Sequence, residues 1–159
     1  MIYLKFGYNF DNPIENLPET LKHLQFETWF DQKIEHFPQS LLYLDLGEGF
    51  NQREKLKDPL SHAELNAISD ARKKLNDWRF DELTIFVTLE PCAMCAGAII
   101  QSRFKRLIFG AWDEKAGAVG SVWDLVRDSR ALSKIEVISG IKEKDCSRLL
   151  QEFFKQFRN

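Results

Sequence analysis

Four residues in two short segments have the types and the spacing of a catalytic zinc centre. Glu64 follows His62 by two positions, and two residues separate Cys92 from Cys95. Catalytic zinc sites commonly take three protein ligands and leave the fourth tetrahedral position to water, whose pKa the metal lowers to about 7. One imidazole and two thiolates would fill the three protein positions. Glu64 would then lie beside the centre as a carboxylate that exchanges protons with the water.

Each half of this pattern also has simpler interpretations. A Cys-x-x-Cys pair occurs in redox sites, in structural zinc sites and as two small buried hydrophobic residues. The surrounding sequence favours catalysis, because the apolar run 83–89 predicts a buried strand that ends just before Cys92. Cys92 then begins a helix of small residues, and His62 begins another. Backbone N–H groups and the helix dipole favour thiolate and hydroxide at such positions.

Apolar periodicity predicts alternating helices and strands after residue 60. Helices are predicted over 61–75, 92–102, about 121–128 and 143–157, and strands over 83–89, 106–111 and 135–139. This alternation is typical of an α/β fold with helices on both faces of a sheet.

The first fifty residues contain a different pattern, a repeat with a period of about 20 residues, which is the short end of the range typical of stacked repeat proteins. Leu4, Leu24 and Leu44 occupy equivalent positions, as do Phe10, Phe30 and Phe50. Such a period predicts a stacked unit with one short strand and a turn per copy, here over 3–6, 23–26 and 42–46. The segment Phe10–Ile14 resembles the core of FNIP repeats, which are leucine-rich-like modules. Two and a half copies are too few to be stable alone, since about three are usually needed.

Composition and charge set the remaining limits. At 159 residues and 44% hydrophobic content, the chain can form one good core, and it has no apolar stretch near the roughly 20 residues of a membrane span. We therefore expect a cytoplasmic protein, and we expect Cys146 to be a small buried residue of the last helix. Residues 1–52 carry 3 basic and 8 acidic side chains, whereas residues 101–159 carry 12 and 8, so the C-terminal segment is the better candidate for contact with nucleic acid.

From Gly49 onward the chain resembles bacterial tRNA adenosine deaminases of the TadA type, which convert adenosine to inosine at the wobble position of an anticodon. The motif His-x-Glu with Pro-Cys-x-x-Cys marks the wider zinc deaminase superfamily. The segments that carry the narrower resemblance are 49–54, 58–64, 76–79, 88–99, 101–103, 109–121 and 150–155.

This resemblance implies a role for each matching residue. His62, Cys92 and Cys95 would hold one Zn²⁺ per subunit, and Glu64 would carry protons between the water, the purine ring and the departing ammonia. The implied substrate contacts are Asn51, Ala63, Asp113, Lys115, Phe154 and Arg158. Asp113 and Lys115 also fit an ordinary solvated turn, and Phe153 and Phe154 also fit the core face of an amphipathic helix.

The resemblance further implies a cytidine-deaminase-like three-layer α/β/α sandwich with a mixed sheet. Residues 1–48 would form a repeat segment in place of the usual N-terminal helix and hairpin, and residues 49–159 the deaminase domain. Either the repeat strands complete the sheet, with 42–46 substituting for the second strand of the family, or the domain lacks them.

The expected function is hydrolytic deamination of adenosine in a tRNA anticodon stem-loop by a homodimer. Two alternatives stay open. The same zinc chemistry could act on a free base or nucleoside such as guanine or cytosine. The chain could also be a catalytically impaired chimeric protein whose repeats serve an interaction.

Overall fold

The computed structural model describes residues 2–6, 14, 17–26, 43–45 and 50–155. The chain divides into two compact units, residues 1–78 and 79–159. The first contains strands β1 (Ile2–Phe6), β2 (Leu21–Phe26) and β3 (Tyr43–Asp45) and helices α1 (Arg53–Leu56) and α2 (Ala63–Leu75). The second contains strand β4 (Thr84–Leu89), helix α3 (Ala93–Gln101), strands β5 (Arg106–Ala111) and β6 (Glu136–Ile138) and helix α4 (Glu143–Lys155).

The three N-terminal strands form a parallel sheet in the order β1-β2-β3, which we call the repeat sheet. Tyr3 pairs with His23, and His23 pairs with Tyr43, so the register advances by the same interval at each step. This interval equals the period of the sequence, because equivalent positions of successive repeats face each other. Leu24 is fully buried in the middle strand.

The strands β4, β5 and β6 form a second parallel sheet in that order, which we call the crossover sheet. Its core contains Leu107 and Phe109 from the central strand and Ile99 from α3, all of them fully buried. Helix α3 connects β4 to β5, as expected for a parallel crossover. The strand and helix limits predicted from periodicity agree closely with the structure here.

The helix predicted over about 121–128 does not form. Residues 112–135 instead make a chain of turns in which Val122 N and Trp123 N both donate to the carbonyl of Gly117, and Val119 forms an isolated antiparallel bridge with Asp124. Gly120 has a φ of +141°, which lies outside the helical region. Glycine adopts this conformation readily because it has no β-carbon. The backbone groups of this segment are therefore used by loop contacts, although the apolar spacing resembles that of a helix.

Helix α4 packs on the central strand through a close approach at Gly110. A β-carbon added there would lie 2.8 Å from Cys146 Cβ and 2.9 Å from the carbonyl oxygen of Thr88. Cys146 is half-buried at this contact, so it is less enclosed than the sequence indicated. The last predicted residues of the helix, 156 and 157, lie outside the described part of the chain.

The α/β fold class is confirmed, but the predicted mixed sheet is not the arrangement of the described strands. All named strands pair in parallel, and β1 to β3 pair with one another in a sheet of their own. Pairing at the repeat interval gives hydrogen-bond partners to the backbone groups along the facing edges of these strands. The ends of the third predicted strand, Leu42 and Leu46, lie outside the described residues, and so does most of the Phe10–Ile14 segment. Among the described residues, no helix combines the length and the apolar character needed to cross a membrane.

Candidate metal centre

His62 and Glu64 lie at the N-terminus of α2. His62 is the N-cap residue, with an extended backbone (φ −75°, ψ 151°), and its carbonyl accepts the first helical hydrogen bond, from Asn66 N at 3.0 Å. Ala63 and Glu64 follow in the first turn, and all three side chains are half-buried. A carboxylate in the first turn is stabilised by the positive end of the helix dipole.

The segment before α2 is tied back to this helix by Asn66. Its Nδ2 donates to the carbonyl of Phe50 at 2.7 Å, and Gln52 N donates to the carbonyl of Ser61 at 2.9 Å. Asn51 is thereby held beside the start of the helix. Its Oδ1 accepts from Arg53 N, at the first residue of α1, at 3.1 Å, and the residue is exposed.

The cysteine pair begins α3. Cys92 is the N-cap residue (φ −69°, ψ 172°) and accepts from Ala96 N at 2.8 Å through its carbonyl, while Cys95 lies one turn later and is fully buried. Most residues in the first part of this helix are small: Ala93, Ala96, Gly97 and Ala98. Both sulfurs therefore lie at a helix N-terminus, where thiolate is favoured.

These side chains form a group that could hold a metal ion. The donor atoms of His62, Cys92 and Cys95 all lie within 4.8 Å of one another. A tetrahedral Zn²⁺ with bonds of about 2.0 to 2.3 Å requires ligand atoms separated by roughly 3.3 to 3.8 Å, so small side-chain adjustments would close the set. One imidazole and two thiolates are also a ligand set that suits zinc. The residues thus fit a zinc ion with one position left for water.

Glu90 is a buried carboxylate two positions before the first cysteine ligand, and it received no role from the sequence. It follows strand β4, is 2% exposed, and accepts four hydrogen bonds. Oε1 accepts from Val119 N at 2.9 Å and from Ser121 N at 3.0 Å, while Oε2 accepts from Asp113 N at 3.1 Å and from the Ser121 hydroxyl. Burial raises the pKa of Glu90, but these hydrogen bonds outweigh it and hold the pKa below its usual value.

The sequence does contain a signal for Glu90. An acidic residue that directly ends an apolar strand, two positions before a ligand, must be solvated or satisfied by nearby donors. The donors come from a loop 23 to 31 residues later, and this long-range partnership has no local signature.

We call residues 113–121 the Asp113 loop. The carboxylate of Asp113 accepts from Lys115 N at 3.0 Å and from Ala116 N at 3.3 Å, which closes a turn. Ala118 N donates to the carbonyl of Pro91 at 2.8 Å, and Gly117 forms a bridge with Cys92. A β-carbon at Gly117 would run into the Glu90 carboxylate and lie 2.6 Å from the Asp113 carbonyl oxygen. The loop is therefore attached directly to the segment that begins the metal-ligating helix.

The residues outside the metal centre that were predicted to contact substrate differ in exposure and in their contacts. Asp113 is half-buried and uses its carboxylate within its own turn, whereas Lys115 is exposed. Phe153 and Phe154 are 52% and 51% exposed and contact each other edge to face at 5.4 Å, so their interpretation as core residues is wrong. Arg158 lies outside the described residues.

Comparison with known proteins agrees with this chemistry. Residues 46–158 match the profile of the MafB19-like deaminases. The chain belongs to this deaminase family. Residues 1–28 and 14–49 each match the FNIP repeat, which confirms the N-terminal pattern.

Two curated relatives are tRNA-specific adenosine deaminases. That of Bacillus subtilis (strain 168) is 42% identical over 108 residues, which cover 68% of this chain and 67% of the relative. That of Haemophilus influenzae is 45% identical over 112 residues, which cover 70% and 65%. The chain thus spans about two thirds of the length of these relatives.

Solved structures give the same class of fold. A structure from studies of A-to-I editing by tRNA:A34 deaminases superimposes with a TM-score of 0.60 at 36% identity, covering 62% of this chain and 72% of that one. A guanine deaminase from Nitrosomonas europaea superimposes with a TM-score of 0.53 at 25% identity, covering 66% and 63%.

Proposed function

We propose that this chain hydrolyses adenosine to inosine at the wobble position of a tRNA anticodon. The observation that carries the proposal is the group formed by His62, Cys92 and Cys95, with Glu64 in the first turn of the helix that His62 begins. Relatives that are 42% and 45% identical and are named tRNA-specific adenosine deaminases supply the substrate class.

Each group at the centre would have a separate role in the reaction. Bound zinc would supply a water that loses its proton near neutral pH. Glu64, which is not needed as a ligand, would carry one proton of the water to the purine ring nitrogen and the second, from the hydroxyl added at C6, to the amine that leaves as ammonia. Burial of Cys95 limits solvent access to the centre, and the N-termini of α2 and α3 stabilise negative charge beside it.

RNA contacts are proposed for the residues around these helices. A target base must leave its stack to be deaminated, and its edge must then find hydrogen-bonding partners. The amide nitrogen of Asn51 and the backbone at Ala63 are suited to this contact. Lys115, Arg158 and the exposed ring of Phe154 would contact phosphates and stacked bases of the stem-loop.

Three further features belong to the same proposal. The enzyme would act in the cytoplasm, where its tRNA substrate is found, and it would pair as a homodimer, as the resemblance to the tRNA deaminases implies. Residues 1–48 would be a repeat segment in place of the usual N-terminal helix and hairpin, followed by a deaminase domain over 49–159. The parallel pairing of β1 to β3 at the repeat interval supports this division.

Deamination of a free purine base is the second candidate. It is favoured by the likeness to the guanine deaminase, which covers 66% of this chain. Identity to the curated tRNA deaminases is higher, at 42% and 45%, and places this candidate second.

The deciding experiment measures two products with one preparation of zinc-loaded protein. Inosine formation in an anticodon stem-loop is followed by nuclease digestion and chromatography, and ammonia release is measured with guanine, cytosine and adenosine. We expect inosine in the stem-loop and no ammonia from the free bases or the nucleoside. Turnover of guanine without turnover of the stem-loop would replace the tRNA assignment with the second candidate.

A further inference from the structure

The Glu90 carboxylate joins both ends of the Asp113 loop to the chain segment that enters the metal-ligating helix. One end is attached through Asp113 N at 3.1 Å, and the other through Val119 N at 2.9 Å together with the backbone and hydroxyl of Ser121. A single side chain therefore replaces the sheet or helix pairing that these backbone groups lack.

We infer that Glu90 is a positioning residue, which fixes the Asp113 loop in the conformation that receives substrate. The carboxylate does not need to touch the substrate, because it acts through the loop that carries Asp113 and Lys115. The part of this inference that concerns substrate rests on the proposed function, since the loop is assigned there to RNA.

Burial makes the arrangement depend on a carboxylate in particular. Glu90 is 2% exposed, so water cannot readily replace an acceptor that is lost. A carboxylate has two oxygens that both accept, whereas a carboxamide has one accepting oxygen and one donating nitrogen. In Glu90→Gln, whichever way the amide turns, a nitrogen faces the backbone donor at Asp113 or those at Val119 and Ser121. At least one end of the loop then loses its acceptor.

The close contact at Gly117 is independent support for this geometry. A β-carbon at that position would collide with the Glu90 carboxylate, so the loop backbone has been brought as near to this side chain as a residue without a β-carbon allows. Ala118 N, which donates to the Pro91 carbonyl at 2.8 Å, fixes the same stretch from the neighbouring residue. The loop position is therefore set by Glu90 and Pro91 together, immediately before Cys92.

The test combines amide hydrogen exchange with steady-state kinetics on the zinc-loaded full chain. For Glu90→Gln we expect exchange over residues 112–122 to accelerate about tenfold or more, as the loss of one buried hydrogen bond implies. Exchange over 93–101 and the zinc content should stay unchanged. With the stem-loop as substrate, KM should rise about tenfold while kcat stays within about threefold.

Two further variants keep the outcome decisive. Ser121→Ala removes one donor to Glu90 and leaves the backbone bonds, so it should shift exchange and KM in the same direction by a smaller factor. Glu82→Gln changes an exposed carboxylate that pairs with Lys105, and it should alter neither quantity. If Glu90→Gln does not fold, Ser121→Ala decides.

Unchanged exchange over 112–122 in Glu90→Gln, or in Ser121→Ala where that variant decides, would overturn the inference. An equal fall in kcat and kcat/KM with KM unchanged would also overturn it, because that pattern belongs to a group acting at the reacting atoms. Exchange and zinc content are measured without substrate. Failure of the tRNA assignment would therefore appear as absent turnover in the parent chain, while the exchange result stands by itself.

Discussion

The repeat sheet and the crossover sheet are both parallel and three-stranded, but their strands are connected in different ways. In the repeat sheet the two steps along the chain are equally long, from Tyr3 to His23 and from His23 to Tyr43. In the crossover sheet Thr84 pairs with Arg106 after a connection through a helix, and Arg106 pairs with Glu136 after a longer connection through irregular turns. The pairing interval is therefore constant in the repeat sheet, whereas it differs between the two steps of the crossover sheet.

The two candidate cysteine ligands and the Asp113 loop follow strands of the crossover sheet, whereas His62 and Glu64 lie at the start of α2. Strand β4 is followed by Glu90, Pro91 and Cys92, and strand β5 is followed by Trp112 and Asp113. Because parallel strands bring their carboxyl ends to the same edge of a sheet, Glu90 and Asp113 meet there. Among the residues that the structure describes in the repeat sheet, no comparable cluster of metal ligands occurs.

Removal of one cysteine sulfur from the metal centre should have the largest effect on zinc binding and turnover. Cys92→Ala removes one of three ligands, and we expect stoichiometric zinc and all turnover to be lost. Cys146→Ala is the matched control, because this thiol packs against Gly110 and should not bind the metal. Zinc is measured by mass spectrometry of the purified protein. Equal zinc in Cys92→Ala and the parent chain would remove the proposed site.

Loss of the proton carrier should separate chemistry from metal binding. Glu64→Ala should keep one zinc per chain and lower kcat by about 10² to 10⁴, the usual contribution of general acid and base catalysis. Glu54→Ala, which removes an exposed carboxylate from α1, should leave both values unchanged. Stem-loop kinetics and zinc analysis check these outcomes. Nearly unchanged turnover in Glu64→Ala would assign proton transfer to another group.

A substitution that creates a cavity in the repeat sheet tests whether this sheet contributes to the stability of the protein. Leu24 is fully buried, and Leu24→Ala should lower the free energy of unfolding by about 2 to 5 kcal/mol. Lys22→Ala, at an exposed position of the same strand, should cost less than about 0.5 kcal/mol. Urea denaturation measures both. If the two variants had equal stability, the repeat sheet would not be part of the cooperatively folded protein.

Two glycine substitutions give the smallest effect and probe how closely α4 packs on the crossover sheet. In Gly110→Ala the new methyl group meets Cys146 and the Thr88 carbonyl, which should cost about 1 to 3 kcal/mol. In Gly97→Ala the methyl group enters open space within α3, which should stabilise the helix by up to about 1 kcal/mol. Thermal unfolding compares the two. A stabilising Gly110→Ala would show that the helix does not pack as described.

Local signals were sufficient to predict most of the elements. The period of the repeat predicted one short strand per copy, and the strands pair at that same interval. Apolar runs predicted β4, α3 and β5, and residue types and spacing predicted the group that could hold a metal ion. These features depend on neighbours within a few residues or on a repeat.

The features that were missed depend on distant partners. The helix predicted near residues 121–128 is absent because Ser121 is held by Glu90 and because Gly117 supplies the acceptor for two backbone N–H groups. The exposure of Phe153 and Phe154 could not be derived from helical spacing, since an amphipathic face does not specify what covers it. The predicted boundary between residues 48 and 49 remains a prediction.

X-ray absorption at the zinc edge of the purified full chain tests the central claim most directly. We predict one zinc per chain, with two sulfur neighbours at about 2.3 Å and nitrogen or oxygen neighbours at about 2.0 to 2.1 Å. Cys95→Ala should lose the zinc, as Cys92→Ala does, whereas Cys146→Ala should keep both sulfur neighbours. A first shell of four sulfurs, or protein that contains no stoichiometric zinc, would contradict the account.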